Sequence, residues 1–63
     1  ISEAILARMK QFNLSKKQVA RKMGWSVSTF NQHLGGNKEW FLKDLVKVAT
    51  AINCHLEIKF VPN

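Results

Sequence analysis

The chain has 63 residues, of which 46% are hydrophobic and 22% charged, and its formal net charge is +6. A domain of about 60 residues buries only about 60% of its unfolded surface, so one marginally stable domain is expected, with an oligomeric partner to support it. No apolar run approaches the roughly 20 residues that cross a bilayer, and the single cysteine, Cys54, excludes an intrachain disulfide, so a reducing compartment such as the cytoplasm is expected.

Two helices are predicted in the N-terminal half of the chain. The first is indicated by apolar residues at helical spacing, namely Ile1, Ile5, Leu6, Met9 and Phe12. The second begins at Ser15, because a serine followed three residues later by a glutamine, here Gln18, forms a capping box. Gly24 would end this helix, since glycine adopts a left-handed backbone conformation at no steric cost. The inward-facing residues would be Val19, Ala20 and Met23.

A third and a fourth helix follow. Ser26 is a suitable N-cap for a helix over Val27–Leu34 with Phe30 pointing inward. That helix would end at Gly35, Gly36 and Asn37. The apolar residues of the fourth helix are Phe41, Leu42, Leu45, Val48, Ala49 and Ile52, and Asn53 would close it. The aromatic and methionine side chains expected in or near the core are Met9, Phe12, Met23, Trp25, Phe30, Trp40 and Phe41.

The C-terminal segment has a different periodicity. Apolar residues now recur at every second position, a period typical of a strand with one apolar face. The apolar positions are Leu56, Ile58 and Phe60, and they alternate with His55, Glu57 and Lys59. Pro62 would end the strand. A lone strand leaves its backbone groups unpaired, so residues 54–63 are expected to form a dimerisation or partner-pairing segment after a helical domain of residues 1–53.

Basic residues are concentrated in the N-terminal part of the chain. Between Ala4 and Lys38 there are seven basic residues and no acidic residue. The seven are Arg8, Lys10, Lys16, Lys17, Arg21, Lys22 and Lys38. Such a bias suits an anionic partner, which is a nucleic acid or an acidic protein surface, but it is equally typical of a solvated surface. Charge alone therefore leaves the partner open.

The segment from Lys16 to Phe30 resembles the helix-turn-helix of the Cro/cI-type (XRE) family of DNA-binding proteins. That family has alanine at the fifth position of the motif, glycine at the ninth and a bulky apolar residue at the fifteenth, and Ala20, Gly24 and Phe30 occupy these positions. The small residue lets the two helices cross closely, and the apolar residue anchors the second helix to the core. The resemblance covers about residues 1–53 and implies a mostly α fold, a lambda-repressor-like bundle of four helices. His33 departs from it, since an apolar residue is usual there.

The resemblance also implies a DNA interface. The N-terminal part of a recognition helix reaches base edges. Val27, Ser28 and Gln32 match the family's base-reading positions, and the flanking Thr29 and Asn31 are the other expected base contacts. Lys16 matches a phosphate-contacting position of the family, and Asn37 and Lys38 lie in the loop that the family places against the backbone. Lys17, Arg21 and Ser26 are the other expected phosphate contacts. Gln32 is able to pair bidentately with adenine, and Val27 to contact a thymine methyl group. The third helix has no lysine or arginine, so phosphate contacts around it are expected to supply most of the affinity.

Catalytic and metal sites are not expected. The chain has four acidic residues, and it lacks a glycine-rich phosphate loop and a recognisable arrangement of nucleophile and base. Cys54 and His55 are adjacent in the predicted strand, so their side chains would point to opposite faces and would not share a metal ion. Neither an enzymatic activity nor a cofactor is predicted.

Two hypotheses about a protein partner remain open. In the first, the strand pairs with its copy in a homodimer through Leu56, Ile58 and Phe60, and a repressor reads a palindromic operator with its recognition helices about 34 Å apart. In the second, the chain is an antitoxin that binds a toxin protein through the strand or the fourth helix, and DNA binding is autoregulatory. A strand after a helix-turn-helix resembles the HipB-like and HigA-like antitoxin branch of the family.

Overall fold

The computed structural model describes all 63 residues and contains four α-helices. Their bounds are Ser2–Gln11 for α1, Lys16–Met23 for α2, Val27–Leu34 for α3 and Leu42–Ala51 for α4. The four predicted helices and the mostly α fold are therefore confirmed. None of these helices combines the length and the hydropathy that a membrane span requires.

Local signals in the sequence determine where α2 begins and ends. The Ser15 hydroxyl oxygen accepts the Gln18 N–H at 3.1 Å, and the Gln18 side-chain oxygen accepts the Ser15 N–H at 2.8 Å. This is the predicted capping box, with both amides satisfied. Gly24 ends α2 with φ of 76° and ψ of 23°, so the left-handed conformation predicted there is also confirmed. Asn53 adopts φ of 62° after α4, as its role in closing that helix requires.

The core lies on one side of α2. Val19, Ala20 and Met23 are all buried, and α2 packs against both α3 and α4. Phe30 is fully buried, so it anchors α3 to this core as the family motif implies. The other buried apolar residues are Ile5, Met9, Val48, Ala49, Ala51 and Ile52. Because α2 supplies the centre of the core and packs against α3, one side of α3 is held against the core and the other side faces solvent.

Two aromatic residues that were expected in or near the core are exposed. Phe12 follows the last residue of α1, at the point where the chain reverses through Asn13 with φ of 53°. The Arg8 guanidinium carbon lies 4.1 Å from the centre of the Phe12 ring. Phe41 precedes α4 as its N-cap, and its N–H donates to the Asp44 carboxylate at 3.1 Å. Both residues therefore lie at helix ends, where helical periodicity no longer directs the side chain inward.

The predicted C-terminal strand is not formed in this structure. Residues 54–63 have no regular secondary structure, and the last backbone hydrogen bond joins the Cys54 N–H to the Ala49 carbonyl at 2.7 Å. The reason is that a strand forms only by exchanging hydrogen bonds with a neighbouring strand, and a single chain with four helices offers none. The apolar residues of the predicted strand remain exposed to solvent, namely Leu56, Ile58 and Phe60.

Candidate nucleic-acid interface

The solvent-facing side of α3 carries four of the five residues predicted to contact bases. At about 100° per residue, Val27, Ser28, Asn31 and Gln32 fall within one arc of about 140°. All four are exposed, whereas Phe30 and His33 on the opposite side are buried. The arc bears one apolar side chain, one hydroxyl and two amides. These groups match the donors, acceptors and methyl groups that bases display in the major groove.

Thr29, the fifth predicted base contact, lies outside this arc. Its N–H donates to the Ser26 hydroxyl oxygen at 3.1 Å, and its own hydroxyl oxygen accepts a bond from the Ser26 hydroxyl at 3.0 Å. The residue is half-buried and faces the interior side of α3. Ser26 and Thr29 therefore form the N-terminal cap of α3, and their side chains are engaged with each other.

A basic surface flanks the outward side of α2. A depression there is lined by Lys17, Arg21 and Lys22, together with Leu14 and Gln18. The only ion pair in the structure joins His55 to Glu57, so no lysine or arginine is neutralised by a carboxylate. Lys22 was not among the predicted phosphate contacts. Its spacing of four residues from Gln18 placed it on this side of α2 and was the signal available in the sequence.

The remaining predicted phosphate contacts lie in exposed positions. Lys16 is the first residue of α2. Asn37 and Lys38 lie in the loop between α3 and α4, where the Asn37 N–H donates to the Gln32 carbonyl at 2.9 Å. Gly36, with φ of 82°, makes the turn that this bond requires. The loop is therefore tied to the last turns of α3.

Arg8, in contrast, is engaged inside the fold. Its Nε donates to the Ile52 carbonyl at 3.2 Å and its Nη2 to the Asn53 carbonyl at 2.9 Å. These carbonyls lie at the end of α4, where backbone acceptors have no partner in the helix. Arg8 therefore joins α1 to the end of α4 through these two bonds.

A cluster of three aromatic rings, from Trp25, His33 and Trp40, contacts the segments on both sides of α3. His33 is only 7% exposed, and its ring stacks on Trp25 with centroids 4.0 Å apart and an interplanar angle of 17°. On another side it meets Trp40 edge-on at 5.2 Å. Its Nδ1 donates to the Thr29 carbonyl at 3.0 Å, which assigns the ring proton to Nδ1. Trp25 precedes α3 and Trp40 follows it, so the cluster links both flanks of the helix. The sequence does not reveal these contacts, since no periodicity relates the three positions.

Comparison with known proteins supplies a family. A family model described as the Cro/C1-type HTH DNA-binding domain matches residues 4–57 of the chain. No curated protein and no solved structure shows a significant match. The match covers all of α2 and α3 and extends into the C-terminal segment.

Proposed function

This chain belongs to the Cro/C1-type helix-turn-helix DNA-binding family, and we propose that it is a sequence-specific transcriptional repressor. In this proposal α3 enters the major groove of duplex DNA and α2 lies across the backbone. The observation that carries it is the exposed polar arc of α3, formed by Val27, Ser28, Asn31 and Gln32. Opposite this arc, Phe30 and His33 fasten the helix to the core.

The arc is proposed to read bases by direct contact. The Gln32 amide has the geometry to pair bidentately with adenine, and Asn31 carries the same group one residue earlier. Ser28 is able to bond to any of several bases, and Val27 contacts a thymine methyl group. Thr29 acts through the helix cap, which sets the angle at which α3 leaves the turn.

Basic residues are proposed to supply most of the affinity. The phosphate contacts are Lys16, Lys17, Lys22, Arg21, Ser26, Asn37 and Lys38. Each lysine or arginine that neutralises a phosphate releases condensed counterions, which favours binding regardless of sequence. The absence of carboxylate partners for these groups supports this role, because none has to break an ion pair to reach DNA.

The DNA-bound form is proposed to be a homodimer. A two-fold dimer would place two copies of α3 about 34 Å apart, one turn of DNA, on a palindromic operator. The support is the C-terminal segment, whose backbone beyond Cys54 has no hydrogen-bond partner within the chain and whose apolar side chains Ile58 and Phe60 are 62% and 97% exposed.

A selection of bound duplexes from a random DNA pool tests this function. A short palindromic consensus is expected. The double substitution Ser28→Ala and Gln32→Ala should reduce affinity for the selected site more than for random DNA, whereas Lys16→Ala should weaken both about equally. Selection of no consensus, or equal losses from the double substitution on both kinds of DNA, would contradict base reading by α3.

A second candidate is an antitoxin whose main partner is a toxin protein. The observation that favours it is apolar surface beyond the C-terminal segment, because Leu42 and Val46 on α4 are also exposed. Such surface is typical of a protein interface. The two functions are separated by purifying the chain from its source cells: an antitoxin would co-purify in stoichiometric amount with one second protein, and a repressor would not.

A further inference from the structure

We propose that the C-terminal tail, residues 54–63, pairs antiparallel with the tail of a second copy in a register centred on Ile58. In this register Glu57 of each copy lies opposite Lys59 of the other. The apolar face of the resulting two-stranded ribbon packs on the groove between α1 and α4. The proposal rests on the homodimer proposed above and specifies its interface.

The tail is already prepared for strand pairing. No N–H or carbonyl of residues 55–63 takes part in a backbone hydrogen bond, so each is free for a ladder. The His55 Nε2 and Glu57 Oε1 atoms lie 3.3 Å apart. Contact between residues two apart places their side chains on one side of the chain, as in a strand, and leaves Leu56 and Ile58 to the other side.

An apolar groove lies beside the tail. It has a volume of about 420 Å³. It is lined mainly by Ala4 and Ile5 of α1 with the N-cap Ile1, and by Leu45 and Ala49 of α4 with the C-cap Ile52. Leu56 forms part of its wall, so the apolar face of the tail starts in the groove and continues into solvent through Ile58 and Phe60. A two-stranded ribbon is marginal by itself in water, and this groove offers the apolar surface that it needs.

Side-chain chemistry selects the register. Directly opposite residues in an antiparallel pair share a face, so apolar positions have to oppose apolar positions. Centring on Glu57 or on Lys59 would place two like charges directly opposite each other. Centring on Leu56 would place Cys54 in the ladder opposite Ile58, but the Cys54 N–H is already bonded to Ala49. Centring on Phe60 would place Pro62 in the ladder opposite Ile58, and proline has no N–H to donate.

The register centred on Ile58 avoids these conflicts when the ladder runs from His55 to Val61, because Cys54 and Pro62, which would oppose each other next, then lie outside it. It sets Leu56 opposite Phe60 twice and Ile58 opposite Ile58 once, all on the apolar face. On the other face it sets Glu57 opposite Lys59 twice, and opposite charges across a pair stabilise a sheet. The partner that fits this surface is therefore a second copy of the same chain.

A charge-swap series tests the register by sedimentation equilibrium. Glu57→Lys and Lys59→Glu should each weaken the dimer by about tenfold or more, because each replaces two attractive pairs with two repulsive ones. The double variant E57K/K59E should return to within about threefold of the original affinity, since it restores both pairs in reverse. Lys47→Glu, a charge reversal of the same size on the exposed side of α4, should leave the dimer unchanged.

Engineered cysteines read the same register by geometry. In a Cys54→Ser background, Ile58→Cys should form an intermolecular disulfide under a mild oxidant, because directly opposite Cα atoms lie about 4.5 to 5.5 Å apart. Glu57→Cys should not, since its copy would lie about 8 Å away, beyond disulfide reach. A mixture of Leu56→Cys and Phe60→Cys chains should form the mixed disulfide.

The outcomes separate this interface from the proposed function. A wild-type chain that stays monomeric up to its solubility limit, or a dimer that the double variant does not restore, would overturn the register whatever the DNA result. A tail that folds back on its own groove would appear as such a monomer. Restored dimerisation with no sequence preference on DNA would support the register and contradict the repressor.

Discussion

At the residue scale, His33 carries a role that its neighbours in the sequence do not reveal. It is buried between Trp25 and Trp40 and bonded to the Thr29 carbonyl. An aliphatic side chain at this position would fill space, but it would neither stack on an indole nor bond to the helix backbone. The Trp40 indole N–H is buried without a partner, so this cluster combines favourable stacking with one unsatisfied donor.

We expect His33→Ala to lower the free energy of unfolding by about 1–3 kcal/mol, since it removes two aromatic contacts. His33→Phe keeps a ring between the indoles, so its free energy of unfolding should fall less than that of the alanine variant. Urea unfolding followed by tryptophan fluorescence measures both. Equal losses in the two variants would show that stacking contributes little.

Arg8 allows a separate residue-scale prediction. Arg8→Lys preserves the charge but not the two bonds to the carbonyls at the end of α4. We expect it to cost about 1–2 kcal/mol, close to the cost of Arg8→Met, because the bonds matter here more than the charge. Urea unfolding compares the two. A lysine variant as stable as the original chain would assign Arg8 to long-range electrostatics instead.

At the element scale, the turn between α2 and α3 determines how the recognition helix is presented. Gly24 provides that turn with φ of 76°, and no atom beyond Gly24 and its two chain neighbours lies within 4 Å of where a Cβ would be built. The requirement for glycine is therefore one of backbone conformation, not of space. Ser26 then caps α3 at once, so only three residues separate the two helices.

Gly24→Ala should accordingly destabilise the fold by about 1–2 kcal/mol, the cost of a left-handed conformation for an L-residue. Gly24→Asn should cost less, because asparagine tolerates this conformation. Thermal unfolding followed by circular dichroism distinguishes the pair. If alanine cost no more than asparagine, the turn would have rearranged, and the geometry of the motif would not depend on this residue.

At the scale of the whole molecule, net charge and the tail are the two features that we expect to govern association. Ten basic and four acidic residues give the net charge of +6, and the single ion pair involves a histidine and not a lysine or arginine. The core, in contrast, involves only residues of α1 to α4 and their ends. Stability therefore depends on the inward-facing side chains of the helices, whereas the basic side chains of α2 and the tail beyond Cys54 remain exposed.

DNA affinity should fall steeply with salt. A dimer contacting 6–10 phosphates is expected to lose about 10³- to 10⁵-fold in affinity between about 50 and 200 mM salt. Fluorescence anisotropy with a labelled duplex measures the affinity at each salt concentration, and hence the slope of log affinity against log salt concentration. Lys22→Ala should reduce the slope by about one unit per site, and an unchanged slope would remove Lys22 from the interface.

Removal of residues 57–63 should leave the helices intact, because these residues make no backbone hydrogen bond and are exposed. The circular dichroism spectrum should remain helical. The midpoint of thermal unfolding should stop depending on protein concentration, as expected when a dimer becomes a monomer. A truncated chain that still shows this dependence would dimerise through another surface.

Much of the fold was predictable because its signals are local. The Ser15 to Gln18 cap, the glycine after α2 and the apolar spacing of α4 each act within one or two turns of helix. Thr29 shows where such reasoning was incomplete. It lies four residues before His33 and so on nearly the same side of α3, but only the tertiary structure shows that this side packs inward.

The amino-acid sequence by itself determined the helices, their ends and the excess of unpaired basic groups, because capping, periodicity and charge depend on neighbours along the chain. Tertiary structure decided which side chains those helices bury and which they present: the clamp of His33 between Trp25 and Trp40, the use of Arg8 as a cap for α4, and the exposure of Phe12 and Phe41. The tail depends on both local sequence and tertiary or quaternary contacts. Its alternating pattern is encoded locally, but a strand exists only when a second backbone supplies hydrogen bonds, and four helices within one chain cannot supply them.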